Sequence, residues 1–195
     1  MTILAGQTSA TIDVAVLDDS LLETSETVTV QLASISSGDA DVSIGAADSA
    51  TVVIADDDST TVNIAATTAS ASEPNTDGQF TVTLANASST DTTISYSVGG
   101  DAVEGTDFAN LSGSVTILAG QTSATIDIAV LDDSILESTE SVTVTLDDVT
   151  AGDPSISLGT SITATVTITD DDSGEVTVVA SDATCLLYTS DAADE

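Results

Sequence analysis

The sequence predicts an all-β chain built as seven-stranded antiparallel β-sandwiches of immunoglobulin-like plan, arranged in tandem repeat. Three observations predict it. Apolar residues alternate with Thr, Ser and Asp at a period of two, the spacing that puts one strand face inward and the other in water. Val, Ile and Thr are abundant, and β-branched side chains suit strands better than helices. The chain also repeats itself at a domain-sized interval.

The strands of one copy follow in order from the alternation. Val62 and Ile64 mark the first, Phe80, Val82 and Leu84 the second, and Ile94, Tyr96 and Val98 the third. Val115 and Ile117 mark the fourth, and Ala124, Ile126, Ile128 and Val130 the fifth. Val142, Val144 and Leu146 alternate with Thr in the sixth, and Ala164, Val166 and Ile168 in the seventh. "LAGQT" (118–122) suits a tight hairpin, while Gly99-Gly100, Gly105 and Gly152 punctuate loops. Seven short strands separated by turn signals fit a sandwich. Phe80, Phe108 and Tyr96 are expected in its core.

The repeat sets the domain boundaries. "MTILAGQTSATIDVAVLDDSLLETSETVTVQL" (1–32) returns as "VTILAGQTSATIDIAVLDDSILESTESVTVTL" (115–146), an offset of 114 residues without a gap. About 36 of the first 58 residues are identical at that offset. Residues 60–173 are therefore a complete copy, and 1–59 correspond to the C-terminal half of another, with Met1 falling where the complete copy has Val115 in mid-strand. Residues 174–184 ("GEVTVVASDAT") correspond to the first strand of a third copy. The tail 185–195, "CLLYTSDAADE", departs from the repeat and reads as a translated sequencing adapter, so it is set aside from the fold. It holds the chain's single cysteine, which leaves redox compartment undecided.

Charge restricts function. The chain has 33 acidic side chains and no Lys, Arg or His, for a formal charge of −33. Nucleic acid is excluded as a partner, because nothing here can neutralise phosphate. Histidine-based catalysis, histidine-containing zinc sites and phosphate loops with a lysine are excluded likewise. A hydrophobic fraction of 41% against 17% charged argues for a packed core rather than disorder. The partners such a chain invites are cations. The sequons at Asn86 and Asn110 add little.

The acids gather in connections between strands. "VLDDSILESTE" (130–140) carries Asp132, Asp133, Glu137 and Glu140. Asp170, Asp171 and Asp172 close the last strand, Glu73 lies between the first two, and Asp107 lies in the loop after the third. If the strands alternate up and down, these connections meet at one end. An isolated Asp-Asp run is ordinarily a solvated loop. Recurrence of "LDDS.LE..E" and "DDD" in both copies favours a shared site instead. Loop carboxylates supply the hard oxygens that Ca2+ takes, and Mg2+ suits so many carboxylates less well.

"AVEGTDF", then "GSVTILAGQTSATIDIAVLDDSILESTESVTVTL", then "ATVTITDDD" resembles the Calx-beta domain. The resemblance covers 60–173 fully, 1–59 as a half domain and the start of a third. It implies a seven-strand sandwich that binds calcium through loops at one end and the C-terminal acidic run. The ligands it implies are Glu73, Asp107, Asp132, Asp133, Glu137, Glu140, Asp170, Asp171 and Asp172. In the half copy they are Asp18, Asp19, Glu23, Glu26, Asp56, Asp57 and Asp58. Ser134, and Ser20 in the half copy, stand where the family usually has a third acid.

The leading expectation is a calcium-stiffened spacer or stalk in an extracellular or cell-surface bacterial protein of adhesin type. Its expected partners are calcium ions, neighbouring repeats of the same chain and an adhesion ligand that the sequence does not identify. A calcium sensor in a membrane transporter, and an accessory module of a secreted hydrolase, are the alternatives. Catalysis by a carboxylate pair is disfavoured, since the acids follow a metal-type spacing and no cleft is suggested.

Overall fold

The computed structural model describes residues 1–181. Their regular elements are strands: β1 (Glu26–Gln31), β2 (Ser49–Ile54), β3 (Thr60–Thr68), β4 (Ser70–Ser72), β5 (Gly78–Leu84), β6 (Thr92–Gly100), β7 (Ser114–Ile117), β8 (Ser123–Ile128), β9 (Glu140–Ala151), β10 (Ile156–Leu158) and β11 (Thr163–Thr169). Among the described residues no helix is long and apolar enough to cross a membrane.

The complete repeat, β3 to β11, is a sandwich of two sheets. One has the order β10-β3-β5-β8 and the other β4-β11-β9-β6-β7. Alternation decides which side chains meet between them. Val62, Phe80, Val82, Ile94, Phe108, Ile117, Ile128, Val142, Val144 and Val166 are all 0% exposed. Intervening Thr residues face outward and bond across strands, as Thr143 does with Thr165 (2.9 Å) and Thr145 with Thr163 (3.2 Å). With no basic side chains, these hydroxyl ladders carry much of the polar work of the outer faces.

Seven strands were expected in this repeat and nine form; the additional two are three residues long. The first strand splits. After a bulge between Ala66 and Thr68, the chain leaves β3 at Thr68 and resumes in the opposite sheet as β4, parallel to β11. The second is β10, parallel to β3. Both pairings are local exceptions to an otherwise antiparallel plan. The "LAGQT" turn also differs from expectation. Gln121 N–H closes it on Leu118 O at 2.9 Å, yet β7 and β8 belong to different sheets, so it is a corner rather than a hairpin. The corner lets Val115 and Ile117 face Ile126 and Ile128 from opposite sides of the core.

Gly100 is needed where it stands. Its φ is +118°, and a Cβ there would overlap the Ser141 carbonyl. The close approach lets Asp101 and Ala102 donate their N–H groups to Ser141 O at 3.0 and 3.1 Å, which starts the loop carrying Asp107.

The half copy folds only in part. β1 and β2 pair antiparallel in the register of β9 and β11, Glu26 opposite Ile54 as Glu140 is opposite Ile168. Residues 1–25 form no strand, and Ile3, Ile12 and Val16 are 51%, 49% and 60% exposed. Their counterparts Ile117, Ile126 and Val130 are buried. The reason is missing partners: residues 1–59 contain no counterparts of β5 and β6, the strands that pair with β8 and β7. At the start of the third copy, residues 174–181 carry no strand. The rest of that segment and the tail 185–195 lie outside the described residues.

Candidate metal centre

Three connections and the end of β11 converge on one end of the complete repeat. The split of the first strand is what brings Glu73 there. β4 runs beside β11 with Ser72 opposite Thr169, and Glu73 N–H donates to Thr169 O at 3.0 Å. Glu73 is thus held next to Asp170 by backbone pairing. Asp170 in turn ties the β8–β9 connection to the same spot: one carboxylate oxygen accepts from Glu137 N–H at 2.9 Å and the other from Asp172 N–H at 3.0 Å.

Three groups of carboxylates result, each with its oxygens within 4.8 Å of one another: Glu73, Asp132 and Asp171; Glu73, Asp170 and Asp172; and Asp107, Glu137 and Glu140. Glu73 belongs to two of them. The third is built from β9, whose first residue is Glu140, and from the loop after β6. Asp107 is buried there, accepts Val103 N–H at 2.6 Å, and its carbonyl holds Leu131 N–H at 2.9 Å.

The electrostatics are those of crowded like charges. Burial, followed by the charges of Asp170, Asp133, Glu137 and Asp132, pushes the Glu73 carboxyl above its ordinary range. Glu137 and Asp172 are raised likewise, by burial first and then by neighbouring carboxylates. Glu140 is pushed up to about 7, by burial first, then by a hydrogen bond with Asp107 and by the charges of Asp107, Glu137 and Asp101. Two buried oxygens, Glu73 Oε2 and Asp172 Oδ2, have no hydrogen-bond partner. A buried carboxylate oxygen without a donor is costly, and a hard cation satisfies it. The donor set is entirely oxygen, so these residues fit Ca2+.

Eight of the nine acids expected in this repeat fall in these groups. Asp133 does not. Its Oδ1 accepts Ile135 N–H at 2.6 Å, so it shapes the loop and contributes charge to Glu73, Glu137 and Asp172. Asp101 was missed by sequence reasoning, although "GGDAVEGTD" places it in the Asp107 loop; its charge bears on Glu140.

The half copy shows the same local wiring without the full set. Glu23 N–H donates to Asp56 Oδ2 at 3.1 Å and Leu21 N–H to Asp19 Oδ1 at 2.8 Å, matching the bonds of Glu137 and Ile135. Asp18, Asp19, Glu23, Glu26, Asp56, Asp57 and Asp58 line a cavity of about 190 Å³. Glu23 and Asp58 are raised, by burial and then by their acidic neighbours. Among the described residues, no close group of three forms here. The counterparts of Glu73 and Asp107 are absent from residues 1–59.

The Calx-beta domain family model matches residues 2–58 and 56–172. The chain belongs to the Calx-beta domain family. The two matched segments share residues 56–58. The apo-form Calx CBD1 domain is similar at 22% identity, covering 57% of this chain and 99% of that one, with a TM-score of 0.46. The calcium binding domain CBD12 of CALX1.1 is similar at 24% identity, covering 56% of this chain and 45% of that one, also with a TM-score of 0.46. A two-domain protein from Bacteroides fragilis is similar at 11%, covering 58% and 46%, with a TM-score of 0.40. No curated protein matches the chain. Ca2+ is the ion of Calx-beta calcium-binding domains, and the acidic groups of this Calx-beta repeat could hold such an ion.

Proposed function

We propose that the chain is a calcium-binding spacer module, stiffened by the ion, in a large bacterial surface or secreted protein of adhesin type. The observation that carries the calcium part is Glu73, which is buried, has an oxygen without a donor and is shared between two carboxylate groups. The proposed ligands of the complete Calx-beta repeat are Glu73, Asp107, Asp132, Glu137, Glu140, Asp170, Asp171 and Asp172. Bound calcium would supply the positive charge missing from the composition. The chain's own residues do the rest: β4 fixes Glu73 against β11, and Asp170 clamps the β8–β9 connection through its two accepted N–H groups.

The spacer part is supported by the repeat itself and by acids placed where one repeat gives way to the next. Asp56, Asp57 and Asp58 lie one residue before β3, separated from it by Ser59. An ion bound by the folded array and not by the unfolded chain stabilises it by about 2.7 kcal/mol at a hundred times its dissociation constant. Extracellular modules work at about 10⁻⁴–10⁻³ M calcium, so a surface location predicts an affinity in that range. Small-angle scattering of the full chain with calcium and with chelator tests the reading. A narrower distribution of dimensions with calcium supports it; identical profiles, in a chain shown to bind calcium, would sink the spacer role.

A further inference from the structure

One apolar residue of the acidic loop lives in two environments. Leu22 and Leu136 occupy the same repeat position, in "SLLE" and "SILE". The loops around them have the same internal hydrogen bonds, Leu21 to Asp19 and Glu23 to Asp56 in one, Ile135 to Asp133 and Glu137 to Asp170 in the other. Yet Leu22 is 0% exposed and Leu136 is 64% exposed, with Ile135 beside it at 60%. Local sequence and local geometry therefore do not set the difference.

The difference is what lies beyond the loop. Leu22 is part of the buried hydrophobic cluster of the complete repeat that follows it. It enters at the pole opposite the carboxylate groups, against the β5–β6 connection. Leu22 N–H donates to Ala87 O at 3.0 Å, and Ser89 N–H donates to Leu22 O at 2.8 Å, so Leu22 and Ser88 form a parallel bridge. Ser88 is itself buried, and its carbonyl accepts Gly120 N–H at 2.8 Å from the β7–β8 corner. The pole lies at the joint between copies, because Asn86 N–H donates to Thr60 Oγ1 at the start of β3.

We propose that this leucine is an inter-repeat docking knob, and that exposed Leu136 is a vacant knob whose partner is the pole of a following Calx-beta repeat. The Ala87–Ser89 stretch of the β5–β6 connection and the Gly120 corner define the surface that receives it. The partner is a further repeat in the same chain rather than a separate copy. One leucine side chain and two backbone hydrogen bonds are too little to offset the roughly 4–15 kcal/mol cost of joining separate molecules. Only Ser59 separates Asp58 from β3, and so short a linker supplies the pole at high effective concentration. The proposal rests on the tandem-repeat part of the function above and not on calcium, because neither Leu22 nor its backbone partners belong to a carboxylate group.

NMR-detected hydrogen exchange tests it. In the full chain the Leu22 and Ser89 amides should exchange at least tenfold more slowly than the Leu136 amide. Leu22→Asp should release both, and Leu22→Ala, which adds no charge, should release them in smaller degree while the β9–β11 amides stay protected. In a chain lengthened by a second copy of residues 60–173 after Ser173, Leu136 should slow to the rate of Leu22, and Leu136→Asp should reverse this. A fast Leu22 amide in the full chain, or a Leu136 amide still fast in the lengthened chain, overturns the proposal. So does protection of Leu136 that depends on protein concentration. Calorimetric calcium titration of Leu22→Ala, which adds no carboxylate beside Glu23, separates the two readings: unchanged binding with lost docking leaves the calcium site intact, and docking without any calcium binding leaves the knob standing alone.

Discussion

Replacing Glu73 with Gln should change the sign of its effect between calcium-free and calcium-loaded protein. Glu73 is buried, shares two groups with Asp132, Asp170, Asp171 and Asp172, and has an oxygen without a donor. At an oxygen separation of up to 4.8 Å and an effective dielectric of about 20, each fully charged pair repels by about 3.5 kcal/mol. Salt screening and partial protonation reduce the realised gain to about 1–2 kcal/mol. The new amide also gives an acid cluster a donor. Without calcium, Glu73→Gln should therefore raise the melting temperature by about 4–8 °C for a domain of this size. With saturating calcium the variant should melt below the wild type, since one anionic ligand of two groups is lost. Differential scanning calorimetry in chelator and in excess calcium reads both arms. A variant less stable than wild type in chelator would show instead that the Glu73 charge supports the fold directly.

The calcium-free protein should also respond to pH in the opposite sense to an ordinary salt-bridged protein. Glu140 is raised to about 7, and Glu73, Glu137 and Asp172 are raised as well, so the folded state binds more protons than the unfolded chain above the ordinary carboxylate range. Stability in chelator should fall as pH rises from about 4.5 through about 7, measured by urea midpoints across that range; a rise over that window would contradict it. Equivalent core substitutions should differ between copies. Val166→Ala, at a position 0% exposed, should cost about 2 kcal/mol in chemical denaturation, while Val52→Ala at the matching position, 47% exposed, should stay within about 0.5 kcal/mol. Equal costs would mean that the half copy is packed as the complete one is.

Most of the sandwich was legible because alternation alone assigns inward and outward residues. Phe80, Val82, Val142 and Val144 are buried where the period places them. Strand partners were less legible, since they depend on non-local pairing. The crossing from β3 to β4 lies inside a continuous β-like run, and nothing in "NIAATTASAS" marks the change of sheet. That crossing places Glu73 beside Asp170, so the position of Glu73 was legible as a loop acid but the reason for it was not. Asp133 and Asp132 are adjacent acids, and only the direction of each carboxylate separates a turn former from a member of a group. Val28 and Val142 share a sequence context as Leu22 and Leu136 do, and in both pairs burial is set by whether a partner element is present.

Whether the acids at one end of the complete repeat hold calcium is read by isothermal calorimetry of the full chain. Calcium should bind with saturable heat at about 10⁻⁴–10⁻³ M or tighter, and Asp171→Asn and Glu137→Gln should each weaken binding at least tenfold while leaving the strand signal in circular dichroism unchanged. No saturable heat, or binding that both substitutions leave intact, would mean that these acids do not hold calcium.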